Sequence, residues 1–128
     1  MSPLARFESF AYAAFRVVAG FLFLFHGLQK VFGMYGGTQM PLASQMGLAG
    51  IIELVGGTLI ALGAFTWPVA IICSGEMAVA YFQAHQPRGL WPIQNGGELA
   101  ALYCFAFLFI ATRGGGPYSL DAMLRRRR

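Results

Sequence analysis

The sequence predicts an all-α membrane protein, a bundle of four transmembrane helices built as one domain over residues 1–128. Three observations predict it. The chain is 57% hydrophobic and 11% charged, against about 25% charged in an ordinary soluble domain, so its charged side chains are too few to cover a water-facing surface. Four apolar stretches approach the length of about 20 residues that a helix needs to cross the hydrocarbon of a bilayer. None of them alternates with period two, which argues against a membrane β-barrel. An aromatic content of 15% excludes disorder, and two cysteines are too few for a disulfide scaffold.

The first crossing is predicted from Phe10 to Phe32, closed by Gly33, Gly36 and Gly37, with Pro41 keeping the next loop irregular. It is not expected to be a cleaved leader. Arg16 interrupts its apolar run, and His26-Gly27-Leu28-Gln29-Lys30 stands where a small-residue cleavage site would be. The second crossing is predicted from Met46 to Phe65 and the third from Trp67 to His85. Thr66-Trp67-Pro68 forms the hairpin between them, with Thr66 as N-cap and Pro68 in the first turn. Gln86-Pro87-Arg88-Gly89 ends the third crossing. Asn95 is placed to cap the fourth, predicted from Gly96 to Thr112 and stopped by Gly114-Gly115-Gly116-Pro117. Residues 113–128 form a basic tail with one or two helical turns after Ser119.

Four crossings put both ends of the chain on one side. That side carries Arg6, Arg113 and Arg125 to Arg128, whereas the other has only Lys30 and Arg88. The positive-inside rule then places both termini in the cytoplasm of a bacterial inner membrane. The arginine run suits anionic lipid headgroups. It is too short and too close to the bilayer for nucleic acid.

With that orientation His26, Gln29, Lys30, Glu53, Gln83, His85, Asn95 and Glu98 fall in the outer half, Glu76 near the midplane, and Arg16 alone in the inner half. An ionisable group at such depth costs about 2.5–3.5 kcal/mol or more, so it faces the bundle interior and finds a partner. Glu53 and Glu76 are too deep to be solvated and must be paired or protonated. His26 and Lys30 share a helix face. Arg16 is expected to form a structural ion pair with a glutamate or to snorkel to the cytoplasmic interface. Glu98 suits either a site or the positive N-terminus of its helix. Cys73 and Cys104 read as packing residues. Nothing resembles H-E-x-x-H, and no metal site is expected. Gly50, Gly56, Gly57 and Gly63 on the second helix and Gly75 and Ala78 on the third are expected to allow close helix approach.

These residues resemble the DoxX family of small bacterial four-helix membrane proteins. The resemblance rests on Arg16 with Gly20, His26-Gly27-x-x-Lys30, Glu53-x-x-Gly56-Gly57 followed by Leu62-Gly63, Asn95-Gly96-Gly97-Glu98, and Gly114-x-Gly116-x-x-Ser119-Leu120-Asp121. It implies a four-helix membrane fold. It also implies a link to membrane redox complexes, since the family takes its name from a subunit of a thiosulfate:quinone oxidoreductase.

Two functions compete. One is a redox-associated subunit whose outer-half pocket binds a quinone-like or other small molecule through His26, Lys30, Glu53, Glu76, His85, Asn95 and Glu98. The sequence has no flavin, haem or iron–sulfur signature, so electrons would come from a membrane or soluble redox partner. The other is a non-enzymatic scaffold whose polar network is structural. A transporter would need a homo-oligomer, because four short helices enclose a narrow pore, and the lone Arg16 of the inner half argues against a proton relay.

Overall fold

The computed structural model describes residues 1–128 and contains α-helices and turns but no strands. A 3-10 turn at Ala5–Phe7 leads into α1 (Glu8–Phe32), followed by α2 (Gln45–Leu62) and α3 (Thr66–Ala80). A π turn at Tyr81–His85 and a 3-10 turn at Gln86–Arg88 prolong α3. Then come the single turn α4 (Pro92–Asn95), α5 (Glu98–Arg113) and the short α6 (Leu120–Arg126).

Local chemistry explains the helix ends. Gly33 stops α1 in the left-handed conformation at φ 67°, where its N–H donates to the Gln29 carbonyl and Met34 N–H to Leu28. Ser44 starts α2 by accepting the Gly47 N–H at 3.0 Å. Gly63, at φ 70°, ends α2 at Leu62, earlier than the expected Phe65, because the left-handed cap turns the chain three residues sooner. The expected Thr66 N-cap is also corrected. Phe65 takes the cap position, and Thr66 already lies inside α3. The start of α5 moves from Gly96 to Glu98, because Pro92–Asn95 forms its own turn and Gly96 reverses the chain at φ 73°.

Two helical segments are long and apolar enough to cross a membrane, Ala5–Phe32 and Gln45–Leu62, each with a mean hydropathy of 1.6. α3 and α5 have 15 and 16 residues, shorter than expected.

Packing is uneven around the bundle. α1 lies along α2 and α3 along α5, with α2 touching α3, whereas α1 and α5 scarcely approach at the backbone. The α1–α2 contact is made by glycines in antiparallel register. A Cβ on Gly20 would sit 2.6 Å from the Gly57 carbonyl oxygen, and one on Gly27 would sit 2.7 Å from that of Gly50. Small residues at heptad spacing on both helices thus bring the two backbones together. A core of Phe23, Ile60, Cys73, Tyr103, Phe107 and Ile110 fills the centre.

The distribution of polarity is inverted relative to a soluble protein. Arg16, Glu53 and Thr66 are each 1% exposed and Asn95 is 2% exposed. Phe21, Leu22, Val55, Ile72, Leu102 and Phe105 meanwhile stand half or more exposed. Apolar surface of that extent requires a nonaqueous surround.

Candidate functional site

The glycine contact between α1 and α2 places the first part of the site. Side chains on a helix lean toward its N-terminus, so Lys30, near the end of α1, points back into the bundle. Its stem lies over Gly50, where a Cβ would come within 2.7 Å of the Lys30 Cβ. Its ammonium reaches Glu53, with Nζ 2.5 Å from Oε1. The Glu53 carboxyl is buried, and its second oxygen has no partner within the protein.

α3 brings the second carboxyl. Glu76 lines the same cavity as Glu53, and it too has an oxygen that is buried and unpartnered. Lys30, Glu53 and Glu76 therefore form a compact acid–base cluster with unused acceptor capacity on both acids.

The cluster opens onto a cavity of about 580 Å³. His26, Lys30, Glu53, Glu76 and His85 all line it, as do Gln45 and Gln83, and the remaining wall is mostly apolar. His26 stands edge-on to Tyr103, with ring centroids 6.1 Å apart. At the rim, the Gln45 amide donates to the Gln83 side-chain oxygen at 2.6 Å and ties α2 to the π turn. That widened turn presents Gln83, Ala84 and His85 consecutively to the cavity. π turns recur at functional sites, where they re-aim side chains.

Two expected site residues lie elsewhere. Asn95 is buried behind the wall. Its amide donates to Tyr81 Oη and the Gly89 carbonyl, and its side-chain oxygen accepts the Gly97 N–H at 2.8 Å. Its side chain therefore organises the α4–α5 turn and does not face the cavity. Glu98 is exposed and opens α5, where its charge complements the helix N-terminus. Tyr103 and Gln45, which sequence reasoning did not single out, stand in the wall. Tyr103 falls one to two turns after Glu98 in α5, and its helical face was the available signal.

Arg16 contradicts the expected ion pair. Its guanidinium meets no carboxylate and does not snorkel. It donates to the Ile60 and Ala61 carbonyls, both at 2.8 Å, and to the Tyr118 carbonyl at 2.6 Å. The physical reason is that the last carbonyls of α2 keep spare acceptor capacity, even where Ile60 also accepts the Gly63 N–H at 3.1 Å, and carry the negative end of the helix dipole. A buried cation finds that acceptor set as readily as a carboxylate.

Asp121 mirrors this at the positive end of α3. It accepts the Phe65 N–H at 2.9 Å, the Thr66 N–H at 3.0 Å and the Thr66 hydroxyl at 2.7 Å. Burial pushes its carboxyl up, but these hydrogen bonds and the charge of Arg125 outweigh that and hold it below the usual carboxylate range. The other ion pair of the chain, Arg113 with Glu8, lies at the same end of the bundle, where the Arg113 guanidinium also covers the Tyr12 ring at 4.5 Å.

Comparison with known proteins agrees with the residue patterns. The DoxX family model matches residues 11–86, a stretch that contains Arg16 and every charged residue or histidine of the cavity. An uncharacterized protein of Haemophilus influenzae is 38% identical over 128 residues, covering 94% of this chain and 96% of its own. An uncharacterized membrane protein of Mycobacterium tuberculosis is 28% identical over 130 residues, covering 88% of this chain and 80% of its own. No solved structure matches. The chain is a membrane protein and belongs to the DoxX family.

Proposed function

We propose that this protein is a redox-associated subunit of the bacterial inner membrane that binds a quinone-like molecule in the cavity beside Lys30, Glu53 and Glu76. The observation that carries the reading is the pairing of unlike surfaces. A buried acid–base cluster with free acceptor atoms sits within a largely apolar cavity of about 580 Å³, a volume typical of small-molecule sites. A flat head group with carbonyl oxygens suits it. The Lys30 ammonium would donate to one oxygen, and a carboxyl of Glu53 or Glu76 would exchange a proton with the ligand as general acid and base. His26 and His85 flank the same space.

Four crossings with both termini in the cytoplasm fit this reading. Exposed apolar side chains continue along α3 at Ile71, Ile72 and Val79, and along α5 at Leu102, Phe105 and Phe109. Glu8, Arg113 and the arginines of α6 gather at one end, with Lys30 and Arg88 toward the other. The cavity then faces the periplasmic half. Electrons are not assigned to any group of this chain, and a partner oxidoreductase would supply them.

The reading is tested by thermal unfolding of the purified protein with short-chain quinones. Wild type is expected to gain several degrees, and Lys30→Met to lose that gain. No shift with any of several quinones would overturn it. The scaffold alternative draws on Arg16 and Asp121, whose bonds tie the tail to the α2–α3 hairpin. If Glu53→Gln merely lowers the folded level and changes no ligand response, the scaffold reading holds instead.

A further inference from the structure

The main cavity has a neighbour on the far side of His26 and Tyr103. Leu22, Phe25, Gln29 and Tyr35 enclose a second hollow of about 320 Å³. Its remaining walls, His26, Leu99 and Tyr103, are shared with the main cavity. The edge-on contact of His26 with Tyr103 is therefore the threshold between the two spaces.

The position of the second hollow has a cause in the packing. α1 and α2 meet backbone to backbone through glycine, but α1 and α5 meet through whole rings. Phe23 packs on Tyr103 at 5.2 Å and on Phe107 at 4.6 Å between centroids. Rings of that size keep the two helices apart, and the seam stays unfilled where α5 begins. The outer rim is apolar and uncovered, with Leu22 52% and Leu99 51% exposed. In a membrane that rim faces hydrocarbon. A cavity that holds a charged cluster and adjoins an apolar side groove open to the lipid suits a ligand whose head and tail prefer different surroundings.

We infer that the groove between α1 and α5 is a lateral portal in which the alkyl or prenyl tail of the ligand lies, while the head occupies the Lys30–Glu53–Glu76 cavity. The ligand class is thus a long-tailed membrane amphiphile rather than a water-soluble molecule. The inference rests on the quinone-like reading above and narrows it.

The test compares two probes on the full chain in lipid nanodiscs: a methoxy-substituted benzoquinone without a side chain, and the same head group carrying a decyl chain. Partitioning is subtracted with empty discs. The decyl probe is expected to bind wild type tighter by about tenfold or more, from van der Waals packing of its methylenes against the groove walls. Leu22→Trp, which fills the groove without touching the cluster, is expected to remove that advantage and leave the tail-free probe unaffected. Val18→Trp, a lipid-facing substitution on α1 outside both spaces, is expected to change neither. Equal affinity of the two probes for wild type would overturn the portal while the head-group site stands. So would an equal loss of both probes in Leu22→Trp, or the same result from Val18→Trp. Failure of both probes to bind wild type would overturn the quinone-like reading and the portal together.

Discussion

Lys30 reaches Glu53 by crossing the bare backbone of Gly50. The two charged residues come from antiparallel helices, and the Lys30 Cβ occupies the space where a side chain at Gly50 would begin. The ammonium ends 2.5 Å from the carboxylate, whose side chain is 1% exposed against 21% for the lysine. Glycine packing and the ion pair are therefore one feature. The close approach of the backbones lets a long cation enter the bundle and find its counter-ion, while the second oxygen of Glu53 stays buried without a partner.

Removing the cation should leave a buried carboxylate uncompensated. Lys30→Met is expected to destabilise the folded protein by about 3–5 kcal/mol, the usual cost of breaking a buried pair from one side. Replacing both partners, as Lys30→Met with Glu53→Leu, should recover most of that loss, since no orphan charge remains. Equilibrium unfolding in mixed micelles measures both. A double variant no more stable than the single one would contradict the pairing.

The glycine register makes a second prediction. A Cβ at Gly57 would meet the Leu24 backbone nitrogen at 2.6 Å and the Gly20 carbonyl oxygen at 2.7 Å. Those are backbone atoms and cannot rotate away. Gly57→Leu must push α1 and α2 apart, with an expected loss of about 1–3 kcal/mol from overpacking and a further loss of any ligand-induced stabilisation. Gly75, beside which a Cβ would meet nothing within 4 Å, is the control, and Gly75→Ala should fold normally.

The gathering of polar residues was legible before any coordinates, because an ionisable residue in an apolar run has few places to go. His26, Lys30, Glu53, Glu76 and His85 indeed share one cavity. What escaped was the choice of partner. Nothing in a linear sequence distinguishes a carboxylate from a carbonyl at a helix end as the acceptor for Arg16, since every helix end offers the latter. Asn95 was misread for a related reason. A polar side chain beside two glycines fits a ligand site or a turn equally well, and only the folded loop shows all its hydrogen bonds spent on Tyr81, Gly89 and Gly97. The start of α3 shifted because a distant segment, α6, supplies its cap through Asp121, whereas Gly63 ends α2.

Arg16 should resist even conservative change. A lysine has one donor centre and cannot match a fork that serves carbonyls on α2 and on the 114–119 segment together. Arg16→Lys is expected to lower stability by about 1.5–3 kcal/mol, the range for one lost hydrogen bond to a charged group, and to expose the tail to proteolysis after Arg113. Arg16→Ala should lose more. Limited trypsinolysis read by mass spectrometry checks the order, and a lysine variant cut no faster than wild type would exclude the clamp.

Asp121 gives a pH dependence of known sign. Its carboxyl titrates below the usual value of 3.8 when folded, so the folded state prefers the charged form. Stability from this group is fully present above the unfolded value and is lost as pH falls through the folded one. Thermal stability should therefore drop as pH is lowered below about 4, in part through loss of the cap that Asp121 places on Phe65 and Thr66. Asp121→Asn keeps the shape but removes the charge, and is expected to be less stable than wild type by about 1 kcal/mol at neutral pH. That gap should close as pH falls, because protonated wild type and the variant then differ little. A gap that stays constant from neutral to acid pH would show that charge at Asp121 contributes nothing to holding the tail against α3.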